Sequence, residues 1–243
     1  MIADERELKG QRRLEDLRRF YTILDHLETA VGGRRTLSAC NGRMQWPQRG
    51  VYFFMESGEE RTDSGKGLRV VRVGTHALTA TSRSTLWTRL AQHKGQERSG
   101  GGKHRGSIFR LLVGVALVCR DGLTVPTWGR GGSASREIRQ QEVELEREVS
   151  ITIRAMPFVW LPVEDEPGRE SARKLIERNS IALLSNFGKE PLDEASPTWL
   201  GRQCERGEGR VKQSGMWNQN HVGENYDPTF LDTFESHVGN VRV

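Results

Sequence analysis

The sequence predicts an α/β domain: a small antiparallel, three-stranded sheet flanked by helices, with extensions at both ends and an insertion. Three observations carry this. Two β-rich runs, RGVYFFME (49–56) and LRVVRVG (68–74), flank the polar stretch SGEERTDSGKG, the pattern of a hairpin with a long loop. A short helix signal, STLWTRLAQHKG, follows directly. A third apolar run, MPFVWLPV (156–163), leads through the turn EDEPG into the amphipathic RESARKLIERNSIALLSNFG.

Taken in order, the chain opens with Leu14, Leu17, Tyr21, Leu24 and Leu27 at spacings of three and four, an amphipathic helix that stops at Gly32 and Gly33. After the hairpin, Ser84 is the expected N-cap of the short helix and Gly95 its end. SIFRLLVGVALVC is apolar with no decisive period, whereas SREIRQQEVELEREVS has helical charge spacing. The helix after the third strand is expected to stop at Gly188, and the rest reads as loop-rich. Domain boundaries are expected at 1–47 (helical extension), 48–188 (main domain, insertion at about 94–150) and 189–243 (loop-rich extension).

Composition excludes several classes. No stretch of eighteen apolar residues occurs and MIADERELKGQRR lacks the apolar core of a signal peptide, so no membrane and a cytoplasmic location are expected. Cys40, Cys119 and Cys204 are odd in number and never spaced as C-x-x-C, which suggests neither a disulfide framework nor a zinc ribbon. The 37 Lys and Arg against 32 Asp and Glu, a net +5, favour a polyanionic partner. HKGQERSGGGKHRGSIFR (93–110) sets seven basic or histidine residues among seven Gly and Ser, the composition of a phosphate-contacting loop or of a solvated flexible one. Lys103 is followed by His104 with no strand before it, which rejects a P-loop, and no G-x-G-x-x-G joins a strand to a helix.

GVY (Gly50, Val51, Tyr52), RVG (Arg72, Val73, Gly74), LWTRLAQH with Arg89 and His93, Glu177 in KLIERN and Asn186 beyond it stand in an order that resembles the GIY-YIG nuclease superfamily over residues 48–188. The arginine-to-histidine spacing and the large insertion look most like its restriction-endonuclease branch. The resemblance implies Mg²⁺-dependent hydrolysis of double-stranded DNA by a site-specific, type II restriction-like enzyme. Tyr52 would be general base, Arg89 and His93 would enter the cleft from one helix face, and Glu177 would hold a single Mg²⁺, for which Mn²⁺ could substitute. Where the family carries a second tyrosine this chain has Arg72, expected to share the cleft while Val71 and Val73 face the core. Ionising a free phenol at pH 7 costs about 4 kcal/mol, so His93 or His76 are the alternative bases. His76, Lys103, His104, Arg105 and Arg110 are the expected nucleic-acid contacts. A palindromic DNA site would make a homodimer natural.

The residues also admit plainer roles. Arg72 could lie on a solvent-facing strand edge, Tyr52 in the core, Glu177 in an exposed cluster with Arg173 and Arg178, His104 and Arg105 in a flexible loop, and Asn186 in a turn. Two other functions share the same signals: a non-catalytic nucleic-acid-binding module on this fold, and a structure-specific repair or mobile-element nuclease.

Overall fold

A computed structural model describes residues 2–96, 98–168 and 170–241. The chain runs through α1 (Ile2–Ala30), β1 (Arg35–Thr36), β2 (Gly50–Glu60), β3 (Leu68–Gly74), α2 (Leu86–Lys94), α3 (Ile108–Asp121), α4 (Arg136–Gln141), α5 (Val143–Ala155), β4 (Pro157–Pro162), α6 (Ala172–Leu184), α7 (Arg210–Ser214) and α8 (Phe230–Gly239). Among the described residues no helix is long and apolar enough to cross a membrane.

The sheet has four strands rather than the expected three, in the order β1-β4-β2-β3, every neighbouring pair antiparallel. The extra strand is a two-residue segment in which Arg35 pairs with Phe158. Two residues show no period in a sequence, so nothing marked it. β2 is central, and its run Val51 to Met55 is fully buried on both faces. Val51, Phe53 and Met55 meet the apolar stripe of α1 (Leu17, Phe20, Leu24, Leu27) together with α6 and α8. Tyr52 and Phe54 point the other way, into a core shared with Leu90, Phe109, Val149 and Trp217. Strand alternation therefore divides one hydrophobic run between two cores.

β3 departs from simple alternation. Phe54 pairs with Arg72 and Met55 with Val70, which leaves Val71 as an extra, bulged residue. Val71 and Val73 consequently belong to opposite cores rather than to one. Arg72 keeps the face of Tyr52 and is 4% exposed, so the solvent-facing alternative does not hold.

The helices differ in detail from expectation. α2 is capped by Thr85, whose Oγ1 accepts from Thr88 N–H at 3.1 Å, and not by Ser84. Its end at Gly95 stands as expected, with φ +78°. The ambiguous apolar run is helix α3, where a Cβ on Gly114 would lie 2.1 Å from the Trp128 ring. SREIRQQEVELEREVS forms the end-to-end pair α4 and α5. α6 ends at Leu184, four residues before Gly188. The tail is less loop-like than predicted: α8 buries Phe230, Leu231, Phe234 and Val238 against the same core as α1 and α6.

Candidate active site

The site grows from Tyr52. Its register partner in β3 is Gly74, and the phenol crosses that glycine so closely that a Cβ there would lie 2.3 Å from Tyr52 Oη. The hydroxyl meets His93 Nε2 at 2.8 Å, and His93 Nδ1 meets Ser107 Oγ at 2.8 Å. Ser107 is also the N-cap of α3, accepting from Arg110 N–H, so the chain Tyr52–His93–Ser107 is anchored to a helix end. Burial, reinforced by Arg89, Arg72 and Arg110, holds His93 well below the ordinary histidine range. The ring is neutral, with one nitrogen donating and one accepting.

Arg72 enters from β3. One guanidinium nitrogen donates to the carbonyl of Trp217, the group lies 4.7 Å from the Phe109 ring centroid, and Nε is buried with no partner. Burial lowers its pKa, while Tyr52 and Glu177 pull it up and Arg89 pushes it down, which places all three within electrostatic reach. Arg89, one turn before His93 on α2, bonds Gln92 Oε1 at 3.0 Å and Gly106 O at 3.3 Å, and its Nε is likewise unsatisfied. Two guanidinium groups with unspent donors are poised for an anion.

Glu177 arrives from α6. Thr75, the residue after Gly74, donates its N–H to Glu177 Oε1 at 3.1 Å; Oε2 bonds no described residue. Burial raises its carboxyl, against the pull of Arg72, Thr75 N–H, His221 and Arg89. Among the described residues no three His, Cys, Asp or Glu side chains stand together as a ready metal cage.

β2, β3, α2 and α6 thus bring Tyr52, Arg72, Arg89, His93 and Glu177 together. The other expected site residues are placed differently. Asn186 closes the turn after α6: its Oδ1 accepts from Arg13 at 2.8 Å and from Leu192 N–H at 3.0 Å, and its Nδ2 donates to Leu192 O at 2.9 Å. It steadies the end of α6 rather than reaching the reacting centre. His76 is buried and its Nε2 donates to Gln48 O at 3.1 Å, leaving Nδ1 as an unpartnered acceptor. Burial lowers its pKa to about 4, so at the expected nucleic-acid contact His76 brings a neutral ring near pH 7.

The glycine-rich segment is an internal strut. Arg110 is fully buried, bonded to Glu146 Oε2, His93 O, Glu146 O and Ser150 Oγ. His104 donates its backbone N–H (2.6 Å) and its Nδ1–H (3.0 Å) to Glu146 Oε1, accepts from Gly129 N–H at Nε2 and stacks on Trp128 at 3.8 Å. Arg105 makes a two-pronged pair with Glu142 at 2.6 and 2.8 Å. These three have spent their donors on protein carboxylates, carbonyls and a hydroxyl, and cannot serve as the expected nucleic-acid contacts in this arrangement. Gly102 is there because Arg110 lies across it: a Cβ would come 2.2 Å from the guanidinium carbon. Of the predicted contacts in this loop, Lys103 alone is solvent-exposed.

Sequence reasoning missed Ser107, Trp217 and Asn218. The amide-rich SGMWNQNHV offered a signal, but one that read as base contacts or a polar turn. Asn218 instead donates Nδ2 to Val73 O at 2.9 Å and accepts from Val73 N–H at 3.1 Å, imitating a strand along the free edge of β3.

Comparison with known proteins agrees with this geometry at the family level. A sequence profile described as the GIY-YIG domain matches residues 11–243. No curated protein and no solved structure matches the chain. With a tyrosine on the central strand, a glycine beneath it and the arginine, histidine and glutamate around it, the chain belongs to the GIY-YIG domain family, whose members are endonucleases.

Proposed function

We propose that this protein is a Mg²⁺-dependent endonuclease that hydrolyses phosphodiester bonds of double-stranded DNA at specific sites, in the manner of a type II restriction enzyme. The observation that carries the reading is the Tyr52–His93 bond at 2.8 Å, set beside two guanidinium groups with unsatisfied donors and a half-buried carboxylate with one oxygen free.

Hydrolysis needs an oriented water, an acceptor for its proton, and positive charge on the phosphate oxygens. Tyr52 Oη is the acceptor in this reading. Since His93 is neutral, it serves Tyr52 as a donor: Ser107 gives its hydroxyl proton to Nδ1, and Nε2–H supports the charged phenol oxygen. Arg72 and Arg89 hold the non-bridging oxygens. The lone carboxylate of Glu177 fits a hard, mostly hydrated cation such as Mg²⁺ or Mn²⁺, and does not fit Zn²⁺, which takes several nitrogen or sulfur ligands. When bound, such an ion neutralises phosphate charge and acidifies a water. Two copies about a two-fold axis would match a palindromic site, a stoichiometry that light scattering with and without DNA reads directly.

Unmethylated phage and plasmid DNA incubated with the protein in Mg²⁺ tests the reading on a gel. Discrete fragments that vanish with EDTA and with Glu177→Ala are expected. Intact DNA under every condition, with a gel shift retained, would replace it with the non-catalytic binding module.

A further inference from the structure

Beside Glu177 the C-terminal segment carries a pair of proton-handling groups that the mechanism above does not use. Trp217 N–H donates to Val71 O at 2.6 Å and Asn218 exchanges two bonds with Val73, so the segment follows the edge of β3 towards Thr75, where Glu177 is held. Three residues on stands His221. Its Nδ1 lies 2.8 Å from Glu224 Oε1, and Glu224 Oε2 lies 2.5 Å from Nε of Arg178, the neighbour of Glu177 on α6. A carboxylate can only accept, so Nδ1 carries the proton and the ring orientation is fixed. Nε2 bonds no described residue, and the side chain is 30% exposed.

Two further facts point to a use. His221 sits at φ +65°, a left-handed conformation that glycine or asparagine adopts more easily. Its charged neighbours are Glu224 and Arg178, and the imidazole also lies near enough to act on the Glu177 carboxyl. Burial alone would raise the Glu224 carboxyl, but the bonds from His221 and Arg178 outweigh it and keep that carboxylate charged, a fit partner for an imidazolium.

We propose that His221 is a further catalytic residue, protonating the leaving oxygen of the cleaved phosphodiester through Nε2 while Glu224 holds its Nδ1–H. The proposal rests on the nuclease reading. The water oxygen bonds to phosphorus and its proton goes to Tyr52 Oη. The bond from phosphorus to the 3′ oxygen breaks, and that oxygen takes the proton of His221 Nε2, leaving neutral imidazole to be reprotonated from solvent.

A substrate whose leaving atom is sulfur in place of the 3′ oxygen needs no acid, which makes it the discriminating probe. His221→Asn suits the left-handed backbone, and its thermal melt is compared with wild type to confirm folding. It is expected to cut the oxygen substrate about 100-fold or more slower than wild type, yet the sulfur substrate at nearly the wild-type rate. Glu224→Gln should show the same selective loss, smaller in size. Equal slowing on both substrates would overturn the proposal. A wild-type protein that cuts neither substrate would bring down the nuclease reading first, and this one with it.

Discussion

The phenol of Tyr52 lies across the Cα of Gly74, its oxygen 2.3 Å from where any Cβ at that position would stand. The glycine is thus a steric requirement of the tyrosine's position, and the backbone conformation asks nothing special of it. Gly74→Ala is expected to displace the ring from His93, cut DNA cleavage by about 100-fold or more and destabilise the fold by about 1–3 kcal/mol. Single-turnover cleavage and denaturant unfolding read the two effects; an alanine variant with wild-type rates would contradict the geometry.

Tyr52→Phe removes one atom and leaves His93 Nε2 buried without its partner. Stability should fall by about 1–3 kcal/mol, and cleavage should be lost while DNA binding survives. Denaturant midpoints beside gel-shift affinities check both halves.

The glycine-rich segment should divide cleanly between fold and binding. Glu146→Ala strands the fully buried Arg110 guanidinium and is expected to cost about 3–5 kcal/mol. Lys103→Ala, at an exposed position, should leave stability unchanged, weaken DNA binding and reduce the slope of log affinity against log salt by about one. Thermal melts and salt-dependent binding isotherms separate the two, and a Glu146 variant of unchanged stability would disprove the strut.

Acid should unfold this protein through its histidines. Burial takes His76 to about pKa 4 and His93 well below its ordinary value, so between about pH 6.5 and 4 the unfolded chain binds protons that the native state refuses. Stability rises with pH across that window and is fully present above it. His76 alone accounts for roughly 2–3 kcal/mol between pH 7 and 4. The raised Glu177 carboxyl acts in the opposite sense, favouring the protonated native form as pH falls. Unfolding free energies from pH 4 to 7 should slope upward, and His76→Gln should remove about one proton from that slope.

How far the sequence could be read depends on the range of each contact. β2, β3, α2, β4 and α6 announce themselves through local period and caps, and so Tyr52, Arg89, His93 and Glu177 fall on the right elements. Arg72 was conspicuous as a cation inside a strand, but its pairing with Phe54, which sets it on the face of Tyr52, is a property of strand register. Charge pattern failed at His104, Arg105 and Arg110, because a run of cations looks the same whether its partner is a phosphate or Glu142 and Glu146 some 36 to 42 residues away. The tail was misread for a different reason. Phe230, Leu231, Phe234 and Val238 do keep a helical spacing, yet the loops before them hid it.

The carbonyl that fixes Arg72 belongs to Trp217, 145 residues further along the chain. A ribosome therefore releases the arginine long before its acceptor, and the hairpin of β2 and β3 waits with an open edge and a loose guanidinium until the tail arrives. Closing a contact of that span is a slow, late event in folding. The cleft is completed by a segment made well after its strands, so a nascent chain carries the strands of the site without the arrangement that would let it act.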